Sequence, residues 1–229
     1  MRSTGKADVA LRFVTDGAER FDRAVTAELP TIEAALAEVP PDRAGVRIAG
    51  NAALAALLAA DGAIGAIAAR ALDDGCRPVR AVLFDKSEAT NWALGWHQDR
   101  TICVHDRIDT PGFGPWTVKA GLHHVEPPFA LLADMVTLRV HLDPVGADNA
   151  PLLIAPASHR AGRVPVDAIP SVVQDHGVAA CLAEPGDVWL YATPILHASD
   201  AAVRPTRRRV LQVDFSAARL PNGLEWLGV

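Results

Sequence analysis

Hydrophobic and polar positions along the chain fall into two textures that meet near Pro78. Upstream, Asp16 to Val39 carries Phe21, Val25, Leu29, Ile32, Ala35 and Leu36. Apolar residues recurring every three to four positions predict amphipathic helix, and Pro30 inside the run predicts a break between two helices. Asn51 is a good N-cap for a helix over Ala52–Ala60, with Asp61-Gly62 as its stop. Ala63–Leu72 predicts a second short helix. Residues 1–77 are therefore expected to be mainly helical and to pack against a sheet. Downstream the period shortens. Strands are predicted over 79–84, 136–142, 152–154, 178–182, 188–191 and 209–215, and over 101–105 as a continuation of the segment around His97. Turn signals separate them at Pro111-Gly112, Pro127-Pro128, 144–149, Pro185-Gly186-Asp187 and Arg204-Pro205. Many short strands at this spacing argue for an all-β sandwich or barrel over 78–229.

Composition narrows the function classes. A chain of 229 residues, half of them apolar, suits one substantial core, and a single domain over 1–229 is expected. The formal charge of −5 offers no basic field for a nucleic-acid backbone, so nucleic acid is not an expected partner. Three scattered cysteines, none in a Cys-x-x-Cys pair, point away from a disulfide framework and toward a reducing, cytoplasmic setting. The most apolar run, 52–69, is broken by Asp61, Gly62 and Gly65, so no membrane span is expected. The pattern carries no information on oligomeric state.

The chemistry gathers at Trp96-His97-Gln98-Asp99. Read as strand, His97 and Asp99 project to one face and Trp96 and Gln98 to the other. An imidazole and a carboxylate on a shared face supply two adjacent ligands to an octahedral metal. One more histidine gives the two-His, one-carboxylate facial triad of non-haem Fe(II) oxygenases. A distal histidine, His197, stands a hundred residues on, and Arg208 eleven positions after it.

In these motifs the chain resembles the phytanoyl-CoA dioxygenase family. Supporting fragments are Phe84-Asp85-Lys86, Asn91-Trp92, Asp148-Asn149 and Ala155-Pro156-Ala157-Ser158-His159, so the likeness runs from about Phe84 to Phe215. Ala150 and Ala157 stand where glycine is common, a departure that bears on turns rather than chemistry. The resemblance implies a double-stranded β-helix, a cupin-like jelly-roll barrel, with the N-terminal helices packed on it. It implies Fe(II), 2-oxoglutarate and O₂ as cofactor and cosubstrates, with His97, Asp99 and His197 as iron ligands. Arg208 would hold the distal carboxylate of 2-oxoglutarate, a task for which a guanidinium fork is suited. The expected reaction is hydroxylation of a small molecule with release of succinate and CO₂. Desaturation, ring closure and epimerisation are the alternatives within the class. A catalytically silent jelly-roll binding protein is the alternative outside it. Asp99 speaks against halogenation, which needs that ligand position free for halide.

Strand parity puts Arg208 on one face with Val210 and Gln212, and Arg207 and Arg209 on the other, without saying which is inside. His197 and Arg208 are expected on antiparallel neighbours joined by the loop over 200–206, with the flanking arginines turned to solvent or a helix. Lys86 and Asn91 precede the metal motif and could contact cosubstrate; strand-end solvation and a cap or turn are their plainer roles. Arg139, mid-strand among apolar residues, either binds an anionic substrate or pairs with an acid such as Asp134. His124 and Lys119 sit in a connection that covers the pocket in the family, though solvated loop positions would suit them equally. His141-Leu142-Asp143 repeats the His-x-Asp spacing but has no partner histidine, and Asp143 reads as a turn former. Trp92, Trp96 and Trp189 read as core, and His159 as structural.

Overall fold

A computed structural model describes residues 10–41 and 43–229. In chain order the elements are α1 (Phe13–Asp16), β1 (Ala18–Phe21), α2 (Leu29–Ala35), β2 (Val46–Ile48), α3 (Ala52–Leu58), α4 (Gly65–Ala69), β3 (Arg77–Lys86), β4 (Leu94–His97), β5 (Ile102–Val104), β6 (Trp116–Lys119) and β7 (Leu122–Val125). There follow α5 (Phe129–Ala133), β8 (Val136–His141), β9 (Leu152–Ile154), α6 (Ile169–His176), β10 (Ala179–Cys181), β11 (Val188–Ala192), β12 (His197–Ser199) and β13 (Arg208–Ser216). A six-stranded antiparallel sheet runs β1-β11-β8-β13-β3-β2, and a four-stranded one β10-β9-β12-β4. Facing each other, these two sheets form the jelly roll. A third, three-stranded sheet, β5-β7-β6, stands beside them.

Alternation along the large sheet sorts its residues into two layers. On the outer face Leu138, Val140, Leu211, Val213 and Phe215 pack against Ile32, Leu54, Leu58 and Ile64 of the helical segment, forming the largest apolar cluster. The inner face carries Arg80, Val82, Phe84 and Lys86 on β3, Arg208 and Gln212 on β13, and Arg139 on β8. Trp189 and Tyr191 of β11 pack with Leu152 and Ile154 of β9, closing one end of the interior.

The N-terminal part departs from the helical expectation. Its segment over 18–21 is β1, paired with β11 from Ala18↔Tyr191 to Phe21↔Val188, and its segment over 46–48 is β2, paired with β3. Each satisfies an edge of the large sheet, and that ladder outweighs local helical periodicity. Gly17 makes the switch from α1 to β1 at φ 72°, where an added Cβ would meet the His159 ring at 2.2 Å. Pro30 does not break a helix; it sits in the first turn of α2, where a missing N–H costs nothing. Asn51 caps α3 as expected, its side chain accepting from Leu54 N–H at 3.1 Å and donating to the Ala35 carbonyl at 2.7 Å.

Two strand expectations also change. β5 does not continue β4: it pairs with β7 in the third sheet. β12 and β13 are not neighbours. β12 pairs with β4 and β9, whereas β13 pairs with β3 and β8. His197 and Arg208 therefore approach the interior from opposite sheets.

Candidate metal centre and pocket

Register brings the two histidines together. His97 on β4 and His197 on β12 are directly opposed cross-strand partners, with ring centroids 4.3 Å apart. Each ring is tethered by Nδ1 to the carbonyl two residues behind it, His97 to Gly95 at 2.8 Å and His197 to Ile195 at 2.9 Å. A carbonyl can only accept, so Nδ1 carries the proton and the Nε2 lone pair is left free. Burial pushes the His197 imidazolium pKa down to about 4, keeping the ring in the neutral, ligating form.

Asp99 lies just past the end of β4, and its neighbour sets its direction. Gln98, on the opposite side, donates to the Gly162 and Pro194 carbonyls at 2.9 and 2.8 Å and accepts from Val164 N–H at 2.9 Å. With every polar atom of that amide engaged, the chain cannot rotate, and Asp99 stays on the His97 side. The donor atoms of His97, Asp99 and His197 all lie within 4.8 Å of one another. Burial disfavours the Asp99 carboxylate, but Arg80, with the two histidines, outweighs it and holds its pKa below the usual range. Arg80 donates to Asp99 at 3.3 Å and to Asp214 at 2.6 Å, and Asp214 also accepts from Thr137 at 3.1 Å.

The three donors open on a pocket of about 800 Å³, its solvent mouth included, whose far wall is cationic. Arg208 is 2% exposed, and its Nε and Nη1 have no hydrogen-bond partner among the described residues. Burial and then Arg139 push its pKa down to about 9. Its cross-strand partner Lys86 donates to the Trp92 carbonyl at 2.7 Å, to Ser199 Oγ at 3.2 Å and to the Asp200 carbonyl at 3.3 Å. Burial, Arg208 and Arg139 bring Lys86 to about 8. Arg139 donates to Gln212 Oε1 at 3.0 Å, not to Asp134, and its Nε is unpartnered.

Parity is resolved by these contacts. Arg208 faces the pocket, whereas Arg207 turns outward to Asp85 at 3.0 Å and Arg209 to Asp143 at 2.7 Å and to Glu33 of α2 at 2.9 Å. Asp143 is thus an ion-pair partner of Arg209 rather than a ligand beside His141. His141 is buried with both ring nitrogens unpartnered among the described residues, and burial, with Arg139 and Arg208, lowers its pKa well below the ordinary value.

Three expected pocket residues lie elsewhere. Asn91 is tied at both ends of its amide to the backbone of Ala202, donating at 3.0 Å and accepting at 2.7 Å, and does not line the cavity. His124 and Lys119 are on strands β7 and β6, not a covering loop. His124 is fully buried and Lys119 exposed, and neither lines the pocket. β-Branched and apolar neighbours on both sides let that segment pair as a hairpin. Conversely Trp92 is a pocket wall, with the Lys86 ammonium 4.6 Å from its ring centroid. Residues that sequence reasoning passed over are Arg80, Gln98, Gln212 and Arg47. Of these Arg80 and Arg47 carried a signal, each a charge alternating with apolar residues in a strand.

His97, Asp99 and His197 on this jelly roll are a group that could hold one metal ion; comparison with known proteins defines the class. The phytanoyl-CoA dioxygenase family model matches residues 17–210, and the chain belongs to that family. Members are Fe(II)- and 2-oxoglutarate-dependent oxygenases, so the protein is an oxidoreductase using Fe(II), 2-oxoglutarate and O₂. Among solved structures, EctD from S. alaskensis with 2-oxoglutarate and 5-hydroxyectoine is similar at TM-score 0.64 and 18% identity, over 100% of this chain and 83% of that one. HygX from Streptomyces hygroscopicus with nickel and 2-oxoglutarate gives TM-score 0.60 and 16% identity, over 89% and 84%. SnoK, a non-haem α-ketoglutarate-dependent carbocyclase from nogalamycin biosynthesis, gives 0.57 and 16%, over 89% and 80%. No curated protein sequence matches the chain. No described helix is long and apolar enough to cross a membrane.

Proposed function

We propose that His97, Asp99 and His197 hold the Fe(II), that Arg208 grips the distal carboxylate of 2-oxoglutarate, and that the enzyme hydroxylates a small molecule. The observation that carries this reading is the pairing of two unmet demands across one cavity. Two tethered imidazoles and an ionised carboxylate converge on one point, and opposite them a buried guanidinium presents Nε and Nη1 with nothing to bind. A buried donor without a partner costs about 1–3 kcal/mol, more when charged. A dicarboxylate ligand removes that cost.

The donor set suits the ion: two neutral nitrogens and one carboxylate oxygen leave open positions for cosubstrates. When bound, Fe(II) with 2-oxoglutarate supplies the O₂ activation that ends in succinate, CO₂ and an oxidised substrate. The protein's own residues do the rest. Nδ1 tethers fix both rings, as outer partners of metal-ligating histidines generally do. Arg80 keeps Asp99 ionised and limits its rotation. Val82, Phe84 and Leu152 line the cavity and keep water from the reacting centre. Gln212, engaged by Arg139 and at 3.4 Å by Tyr191, fixes the floor. The three cysteines are unpaired and buried, which accords with a cytoplasmic location.

The test is anaerobic addition of Fe(II) and 2-oxoglutarate, expected to give the visible charge-transfer band of a metal-chelated keto acid. A substrate screen read by 2-oxoglutarate consumption, then mass spectrometry of hits for one added oxygen, checks the outcome. Bound iron with no band would overturn the cosubstrate assignment. Products two hydrogens lighter, with no added oxygen, would overturn hydroxylation.

A further inference from the structure

Among the described residues five cations line the pocket, Arg47, Arg80, Lys86, Arg139 and Arg208, against one lining carboxylate, Asp99. Asp214 behind Arg80 raises the acids to two, and both are spent on Arg80. Among the described residues the other four form no ion pair. Lys86, Arg139 and Arg208 make one pole, bound by register: Lys86 opposes Arg208, and Arg139 opposes Gln212 on the same strand. Arg47 stands apart. It is on edge strand β2, opposite Val82, which in turn opposes Gln212. Two strand spacings put its Cα about 10 Å from that of Gln212, and three put it about 14 Å from that of Arg139. Its Nε is buried with no hydrogen-bond partner, and among the described residues no carboxylate forms an ion pair with it.

Iron and cosubstrate do not neutralise this wall. Fe(II) adds two positive charges and 2-oxoglutarate two negative ones, so an excess of three cations remains. One dicarboxylate reaching from the metal to Arg208 also leaves Arg47, at the other side of the cavity, unanswered. A half-buried guanidinium facing a cavity without a counter-ion is a recognition element for an oxyanion.

We propose that the primary substrate carries an anionic group, a carboxylate or a phosphate, and that Arg47 anchors it at the β2 edge of the pocket. The inference rests on the reading that iron and 2-oxoglutarate occupy the inner part of that pocket. Arg47 then acts as a specificity residue, setting which end of the substrate points toward the metal centre.

The experiment uses the full chain loaded with Fe(II) and saturating 2-oxoglutarate under argon, so that Arg208 is already occupied. Butyrate and butyl phosphate are titrated calorimetrically beside their neutral counterparts butyramide and butanol. The anions are expected to bind and the neutral pair not to. Arg47→Gln should weaken anion binding roughly 10- to 100-fold, while Arg47→Lys recovers part of it. The charge-transfer titration of 2-oxoglutarate should be the same in wild type and Arg47→Gln. That control separates the two readings: a wild type that binds no 2-oxoglutarate sinks the cosubstrate assignment. If 2-oxoglutarate binds but neither anion does, or Arg47→Gln binds them as well as wild type, the anchor is overturned. Preference for butyrate over butyl phosphate, or the reverse, identifies the group.

Discussion

Arg208 offers the sharpest test because one substitution should move affinity and stability in opposite directions. Without cosubstrate, its guanidinium is a buried cation with two unpartnered N–H groups and Arg139 as a like-charged neighbour. A pKa pushed to about 9 corresponds to several kcal/mol of strain on the charged form. Replacing such a group by an apolar one of similar volume stabilises by about 1–4 kcal/mol. Arg208→Met should therefore raise the unfolding temperature of the metal-free protein, by about 2–4 °C per kcal/mol in a chain of this size. The same change removes a charged, two-pronged contact to 2-oxoglutarate worth about 2–4 kcal/mol, a loss of tens- to several-hundred-fold in affinity. Arg208→Lys should restore only part, since an ammonium lacks the fork. Arg207→Ala and Arg209→Ala remove ion pairs to Asp85, Asp143 and Glu33 on the side of the sheet away from the pocket and should leave cosubstrate affinity unchanged. The assays are thermal unfolding of the metal-free variants and anaerobic titration of the charge-transfer band. An Arg208→Met protein that unfolds earlier yet binds 2-oxoglutarate normally would refute the reasoning on both counts.

His97→Ala and His197→Ala should each abolish 2-oxoglutarate turnover while circular dichroism stays native, and Asp143→Ala should leave metal binding intact because Asp143 serves Arg209. Lys86 has a folded-state pKa near 8 against an ordinary 10.5. The unfolded chain therefore holds the extra proton between those values, and metal-free stability should rise with pH across that window; the rise should flatten in Lys86→Met. Ala157 sits at φ 62°, ψ 0°, a left-handed conformation that disfavours a Cβ. Ala157→Gly should raise stability by about 1 kcal/mol, read as a shift of roughly 2–4 °C in the unfolding midpoint.

What the sequence showed of this site follows from which interactions are local. His97 and Asp99 are legible because strand alternation acts within three residues, whereas the Gln98 contacts that lock Asp99 in place reach to Gly162 and Pro194 and are not. Arg208 is legible through its spacing from His197, but the inference that they sit on adjacent strands failed. Spacing along the chain does not say which sheet a strand joins, and the loop between them crosses from one sheet to the other. β3, β8, β11 and β13 of the large sheet were read from apolar runs, whereas β6, β7 and β12 were not, being three or four residues long and partly polar. β1 and β2 were hidden for a different reason. Their conformation is imposed by the ladder edges of β11 and β3, and their own side chains fit helix as well. Arg80 and Arg47 escaped because a cation's role depends on what lies opposite. Arg80 meets two carboxylates from distant segments, and Arg47 pairs with none among the described residues.

The large sheet explains why fold and site are hard to separate in this protein. On β13, Leu211, Val213 and Phe215 bury against helices, while the alternate residues Arg208, Gln212 and Asp214 face inward. The apolar half fixes the register, because a slip of one residue would put all three hydrophobic side chains into the cavity. Register in turn dictates that Arg208 opposes Lys86 and that Asp214 opposes Arg80. The inner charges thus need not stabilise the fold, and several of them oppose it. Lys86 is held below its ordinary pKa by burial, Arg208 and Arg139, and Arg208 by burial and Arg139. Outer-face packing meets that cost, and the result is a cavity wall preorganised for anions before any ligand arrives.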